Sequence, residues 1–206
     1  HNLGDIENFP FLEPPSRSSV SEGYQLLREL GAIDSEKRLT ALGRKMARLP
    51  IDPHIARMVI AAKEENALRE VLIIAAALSI VDPRERPFEK RTEADAVHRK
   101  FMVPGSDFLS YVKLWDTFMQ EWESLKTQNR IRKFCKDNFL SYIRMQEWHD
   151  VHQMLLEEVT AMKGFTINEQ PASFDAIHRS LLTGLLSNCA MKTETGQYRA
   201  FRGRDV

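Results

Sequence analysis

The segment between residues 39 and 53 constrains the fold most, because it ends one short helix and begins another with almost no linker between them. Thr40 is of a type favoured at helix N-caps, and the apolar residues after it recur at helical spacing up to Pro50. Asp52 then suits the N-cap of a second helix whose first position is Pro53, where a missing backbone N–H costs nothing. The sequence therefore predicts two helices that meet at a two-residue hinge.

An upstream helix and a hairpin complete a small module with this hinge. A helix is predicted to begin near Ser16, where Ser19 and Glu22 have the spacing of a capping box. The residues of 32–40 alternate around a polar turn, which is typical of a two-stranded wing. A helix, a wing and a second helix together predict a winged-helix module over residues 1–50.

The rest of the chain has the pattern of a helical bundle followed by a short β segment. Residues 67–79 are apolar on nearly every side and predict a central helix, while 140–163 predict one long amphipathic helix. Further helices are predicted at about 54–65, 92–102, 107–124, 127–137 and 173–187. Alternation after Asn188 predicts a β-hairpin. The predicted fold class is mainly α, with a helical bundle over 51–187 and the β segment over 188–206.

Charge and composition limit the partners of the chain. Lysine plus arginine and aspartate plus glutamate both number 29, so any contact with a polyanion must be local. No apolar run reaches the roughly 18 residues of a membrane span, and no membrane partner is expected. Cys135 and Cys189 are far apart and form no C-x-x-C motif, so we expect buried reduced thiols in a cytoplasmic protein.

Catalytic and metal-binding signatures are missing from the sequence. It contains neither a G-x-x-x-x-G-K-[ST] phosphate loop nor a G-x-S-x-G elbow, so no catalytic residue is predicted. His149 and His152 could face one ion from a helix, but a zinc site needs a further protein ligand. We therefore expect surface histidines and no metal here. His54, His98 and His178 are expected to be capping or surface residues.

Two clusters of cations are candidates for local phosphate contacts. The first lies on a predicted helix and consists of Arg130, Arg132, Lys133 and Lys136. It could hold phosphates or be an ordinary solvated helix face, and spacing alone leaves both open. The second, on a loop stiffened by two prolines, consists of Arg84, Arg86, Lys90 and Arg91. The tryptophans at 115, 122 and 148 have helical spacing and are predicted to be core residues rather than base-stacking platforms.

Several motifs resemble the region that follows the motor of DEAH-box RNA helicases, and particularly its bacterial HrpA-like branch. They are FLEPPS at 11–16, LTALGRKM at 39–46, LPIDP at 49–53, IIAAALS at 73–79, RERP at 84–87 and CKDNFLSYIRMQEW at 135–148.

This resemblance implies a domain order and a set of partners. It implies a winged helix over 1–50, a helical ratchet-like domain over 51–187, and the start of an oligonucleotide-binding barrel over 188–206. Two RecA-like motor domains would lie upstream of His1, so ATP and magnesium are expected in the full-length protein and no cofactor in this chain. The expected partners are single-stranded RNA and those motor domains, with the chain a monomer.

The resemblance also assigns RNA contacts to particular residues. Arg84 and Arg86 are similar to a loop that faces the RNA channel, and Lys136, Asn138 and Arg144 are similar to residues at the start of the family's long helix. The expected function is a non-catalytic accessory region that lines the single-stranded RNA channel. The alternative is a protein-interaction module without RNA contact.

A free-standing DNA-binding winged helix is the least favoured interpretation of the sequence. Its candidate recognition helix carries Arg17 and Arg28 against Glu22 and Glu29, and thus no net positive charge for a DNA groove.

Overall fold

The computed structural model describes residues 6, 9–125, 127–194 and 196–200 of the chain. The chain divides into two compact units, His1–Arg48 and Leu49–Val206. Both contain buried apolar side chains, so each unit has a core of its own.

In the first unit, two helices flank a tight turn: α1 (Arg17–Glu29) and α2 (Ala41–Met46). The cap of α1 is Ser16, whose hydroxyl accepts a hydrogen bond of 3.1 Å from the Ser19 N–H. The capping box expected at Ser19 is therefore wrong, because Ser19 lies within the helix.

The predicted wing is reduced to one antiparallel bridge pair, Ile33 with Leu39. Its turn is closed by Asp34, whose carboxylate accepts hydrogen bonds of 2.9 Å from the N–H groups of Glu36 and Arg38. One side chain thus satisfies two backbone donors that a longer strand pair would otherwise use.

The helix caps predicted around residues 40–53 are confirmed, but the two-residue hinge is wrong, because the six residues 47–52 lie between α2 and α3. Thr40 caps α2 by accepting a hydrogen bond of 2.9 Å from the Gly43 N–H. Asp52 caps α3 by accepting one of 2.8 Å from the His54 N–H, and Pro53 is the first helical residue. Short polar side chains at both caps satisfy backbone donors that the helices leave free, which fixes where each helix begins.

The second unit is helical until its last residues. Its α-helices are α3 (Pro53–Glu64), α4 (Leu68–Leu78), α5 (Arg91–His98), α6 (Asp107–Leu125), α7 (Gln128–Asp137), α8 (Tyr142–Thr160) and α9 (Phe174–Leu185). Three-residue 3₁₀ turns lie at Phe88–Lys90, Arg99–Phe101 and Leu186–Asn188. The helix predicted over 92–102 is thus divided into α5 and the 3₁₀ turn that follows it.

Helix α4 is the centre of this unit, as its all-round apolar sequence predicts. Its neighbours in space are α3, α6, α8 and α9, and nearly all its residues are buried. Trp148 of α8 is completely buried and donates a hydrogen bond of 3.0 Å from Nε1 to the Ile73 carbonyl. The core role predicted for Trp148 and Trp115 is confirmed, while Trp122 is only half-buried.

Helices α3 and α9 pack closely enough to need a glycine at their crossing. A Cβ atom at Gly184 would lie 2.3 Å from the His54 carbonyl oxygen and 2.8 Å from the Met58 side chain. His54 also donates a hydrogen bond of 2.6 Å from Nδ1 to the Gly184 carbonyl. The two helix backbones are therefore in direct contact at this point.

A buried carboxylate ties the loop before α9 to the central helix. Glu70 of α4 is 3% exposed and accepts hydrogen bonds from the Asn168 amide at 3.0 Å and the Ala172 N–H at 3.3 Å. Because both carboxylate oxygens have donors, burial of this charge is compensated.

The described part of the chain ends in a short hairpin, β1 (Ala190–Lys192) paired antiparallel with β2 (Tyr198–Ala200). This confirms the predicted β segment, although the pairing expected to continue through Phe201 lies outside the described residues. No described helix is long and apolar enough to cross a membrane.

Candidate nucleic-acid interface

The arginine-containing loop is fastened to the turn between α7 and α8, so the structure joins two segments that lie more than fifty residues apart. The Glu85 N–H donates a hydrogen bond of 2.8 Å to the Phe139 carbonyl, and the Ser141 N–H donates one of 2.8 Å to the Pro83 carbonyl. Arg84 and Leu140 form the antiparallel bridge between these bonds. Main-chain pairing thus brings most of the predicted RNA-contacting residues into one region.

Arg84 and Arg144 are both attached to Asp82. The Arg84 guanidinium donates to the Asp82 carboxylate at 2.7 and 3.0 Å, and Arg144 Nη1 donates to the Asp82 carbonyl at 3.1 Å. The Tyr111 hydroxyl donates a hydrogen bond of 3.3 Å to the same carboxylate, and the Tyr111 ring lies beneath the Arg84 guanidinium. We call Asp82, Arg84, Tyr111 and Arg144 the aspartate clasp.

Electrostatics in the clasp follow from these contacts. Burial by itself would raise the pKa of Asp82, but the hydrogen bonds from Arg84 lower the pKa below its usual value. The Arg84 side chain is only 19% exposed, and its charge is compensated by Asp82. A cation already paired in this way has less attraction left for a phosphate.

Arg86 extends from the same loop with a more accessible side chain. It is 51% exposed and pairs with Asp95 of α5 at 2.8 Å. An exposed pair of this kind contributes little stability, so a phosphate can compete for the arginine.

Lys136 and Asn138 differ sharply in availability. Lys136 is exposed on α7, whereas Asn138 is 6% exposed and its amide is used internally. Asn138 Nδ2 donates to the Phe134 carbonyl at 2.7 Å, and Lys100 donates to Asn138 Oδ1. The Asn138 side chain therefore supports the α7–α8 turn from inside.

Helix α7 presents the cations that remain uncompensated. Arg130, Arg132, Lys133 and Lys136 are all exposed, and within the described ranges none of them forms an ion pair with a carboxylate. Arg132 lies over the Tyr142 ring at 5.0 Å, a cation–π contact that orients its guanidinium without neutralising it.

Two of these cations line a pocket of about 440 Å³ between the loop, α7 and the start of α8. Its walls are formed by Glu85, Arg132, Cys135, Lys136, Leu140, Ser141, Tyr142, Ile143 and Gln146. We call this the α7–α8 pocket. The sequence indicated the cations, but nothing in it placed Glu85, Tyr142 and Gln146 beside them.

Two of the histidine predictions are wrong, because tertiary packing buries His98 and half-buries His152. His98, expected at a cap or the surface, is 4% exposed and its Nε2 lies 3.1 Å from the carbonyls of Asn138 and Phe139. His152, expected at the surface, packs against Trp115 with ring centroids 4.6 Å apart. Desolvation, with smaller effects from His149 and Arg69, lowers the pKa of His152 to about 4.

The remaining site predictions concern metal binding and the two cysteines. Across the described residues, no group of three or more potential ligands is arranged to hold a metal ion. Cys135 is buried, as predicted, and burial raises the pKa of its thiol to about 11. Cys189 is free but only half-buried, so the prediction holds for one of the two cysteines.

Comparison with known families agrees with the two units and their helices. Residues 24–51 match the winged-helix part of the helicase-associated domain (HA2), and residues 52–141 match its ratchet-like part. The two matches together cover more than half of the chain. The chain therefore belongs to the helicase-associated domains of DEAH-box RNA helicases. A domain extending to 187 and a barrel beginning at 188 remain predictions.

Individual relatives point to the HrpA branch of that family. The chain is 43% identical over 195 residues to the ATP-dependent RNA helicase HrpA of Escherichia coli K12, covering 92% of the chain. It is 41% identical to the HrpA homolog of Haemophilus influenzae, and 28% identical to the pre-mRNA-splicing factor ATP-dependent RNA helicase DEAH10 of Arabidopsis thaliana. These matches cover 97% and 99% of the chain.

The match occupies a small part of each relative. The chain spans 15% of the Escherichia coli protein, 16% of the Haemophilus influenzae protein and 29% of the Arabidopsis thaliana protein.

Proposed function

We propose that this chain is an RNA-path accessory region of an ATP-dependent RNA helicase and has no catalysis of its own. The observation that carries the proposal is the pair of uncompensated cations, Arg132 and Lys136, at the α7–α8 pocket. Phosphate binding is driven by cations that release counterions, and these side chains lack a described carboxylate that would have to be displaced first.

The candidate contacts divide by availability. Lys136 and Arg86 are exposed and suited to phosphates, and we propose Arg132 as a third contact because it lines the same pocket as Lys136. Arg84, Arg144 and Asn138 have internal partners, so we propose that they hold the loop and the α7–α8 turn in the shape that presents the other three.

The accessory role also requires contact with motor domains. Phe88 is 97% exposed and Val81 is 62% exposed, at either side of the arginine loop. Contact with another protein domain would remove both apolar side chains from water. We propose that they pack against the motor domains of the same polypeptide. They equally favour the alternative function, a protein-interaction module without RNA contact.

ATP and magnesium would be bound outside this chain. The residues here do not fit them, because the sequence has no phosphate loop and the described residues contain no cluster of metal ligands. A monomer in the cytoplasm remains part of the proposal.

Salt-dependent RNA binding tests the proposal. Fluorescence anisotropy of a labelled oligouridylate would be measured with the unaltered chain and with Arg132→Ala/Lys136→Ala over a series of salt concentrations. Each lost phosphate contact lowers the slope of log affinity against log salt by about 0.7, so the double variant should lose about 1.4.

The matched control is Arg17→Ala/Lys163→Ala, which removes the same charges. Arg17 lies on α1, and Lys163 follows the far end of α8, roughly 30 Å along that helix from Tyr142. The control should bind like the unaltered chain. Equal losses in both variants, or no RNA binding at low salt, would favour the interaction-module function.

A further inference from the structure

The α7–α8 pocket contains a carboxylate that a phosphate site alone does not explain. Glu85 lines it together with Arg132 and Lys136. Within the described part of the chain, the Glu85 side chain forms neither an ion pair nor a hydrogen bond. A free carboxylate beside a phosphate path repels the strand and weakens binding. Glu85 is exposed to solvent, and it would contribute favourably to binding where the ligand offers hydrogen-bond donors.

The backbone holds Glu85 in place. Its N–H donates to the Phe139 carbonyl at 2.8 Å, and the preceding residue, Arg84, is bridged to Leu140. The ladder ends at this residue, so pairing holds the backbone up to the Glu85 N–H. The Glu85 side chain thus extends from the last paired position of the segment.

The remaining walls suit a nucleobase. Ile143 is 75% exposed and offers an apolar surface to a flat ring. Gln146 adds an amide with one acceptor and two donors. An acidic peptide would match the cations but has no flat ring with adjacent N–H donors for Ile143 and Glu85, so the wall chemistry favours a nucleotide.

The four bases differ in what they offer to a carboxylate. An ionised carboxylate only accepts hydrogen bonds, through two adjacent oxygens. Guanine has two adjacent donors, N1–H and N2–H, that can meet both oxygens at once. Cytosine and adenine each offer one exocyclic amine, and the N3–H of uracil lies between two carbonyl oxygens.

We propose that the α7–α8 pocket binds one nucleotide of single-stranded RNA and prefers guanosine through Glu85, an inference that rests on the RNA-path function proposed above. Arg132 and Lys136 hold the flanking phosphates, and Glu85 accepts the two guanine N–H donors. Hydrogen bonds to a charged group are the stronger ones in proteins, so the preference over uridine should be about tenfold.

The experiment compares labelled oligouridylates that differ at one central position, using this chain. Guanosine there should bind about tenfold more tightly than uridine, and inosine, which lacks the N2 amine, should lose most of that gain. Glu85→Gln should abolish the preference and bind the all-uridine strand as tightly as before or more tightly, because a repulsive charge is removed. Glu89→Gln, an exposed glutamate outside the pocket, is the matched control and should retain the preference.

The outcomes separate this inference from the function on which it rests. Equal binding of guanosine, inosine and uridine strands by the unaltered chain overturns the guanosine site, and so does a preference that survives in Glu85→Gln. If the slope of log affinity against log salt is nevertheless smaller by about 1.4 in the Arg132→Ala/Lys136→Ala variant, the RNA-path function stands without the guanosine site. Failure to bind any strand would defeat both. Should Glu85→Gln fail to fold, the inosine comparison on the unaltered chain decides.

Discussion

At the scale of single residues, His152 should make the free energy of unfolding depend on pH. Its ring is packed against Trp115, and desolvation lowers its pKa from 6.5 to about 4 in the folded chain. Between these values the unfolded chain binds more protons, so stability must fall as the pH falls. We expect the free energy of unfolding to drop by up to roughly 2 kcal/mol from about pH 7 to about pH 5. Urea unfolding at both pH values measures it.

The control for this effect is His152→Gln, which cannot titrate and should flatten the dependence over the same window. Asp82 does not interfere, because its pKa is below its usual value of 3.8 and its contribution is lost only in stronger acid. A pH dependence that is unchanged in His152→Gln would show that another group is responsible.

At the scale of elements, the crossing of α3 and α9 requires glycine at position 184, where the side chain is a single hydrogen atom. The Cβ of Gly184→Ala would lie 2.3 Å from the His54 carbonyl oxygen, which is backbone and cannot turn aside. The two helices must therefore separate, and overpacking of this kind costs about 1–3 kcal/mol. We expect a lower Tm by circular dichroism.

The matched substitution is Gly23→Ala in α1, where an added Cβ meets nothing within 4 Å. Alanine is the better helix former, by up to about 1 kcal/mol, so this variant should be as stable as the parent or more stable. If both alanine variants shift the Tm equally, the contact between α3 and α9 is not the cause.

At the scale of the whole molecule, the two units should differ in their ability to fold alone. The unit Leu49–Val206 has a buried central helix with helices around it. The unit His1–Arg48 buries only a few apolar side chains, and chains near 40 residues are marginal without further support. Expressed separately, the larger piece should unfold cooperatively with its helicity intact, and the smaller piece should be largely unfolded. Non-cooperative melting of the larger piece would contradict this.

Local rules explain what could be predicted about the fold. The caps at Thr40 and Asp52 and the apolar pattern of α4 depend on neighbours within a turn or two, which a sequence displays directly. The candidate site was predicted less completely. Its cations are visible as a cluster, but their exposure and the pocket that two of them share depend on segments that only folding brings together.

The sequence by itself determined the helical class, the caps at Thr40 and Asp52 and the family, since caps, periodicity and motifs are all local. Only the tertiary structure decided that Arg84 contacts Tyr111, that His98 and Asn138 are buried, and that Glu85 lines the same pocket as Arg132 and Lys136. The physical reason is the pairing of 83–85 with 139–141, which joins segments far apart in the chain. The burial of side chains at that junction and their neighbours follow from the long-range pairing, and no local sequence pattern encodes this pairing.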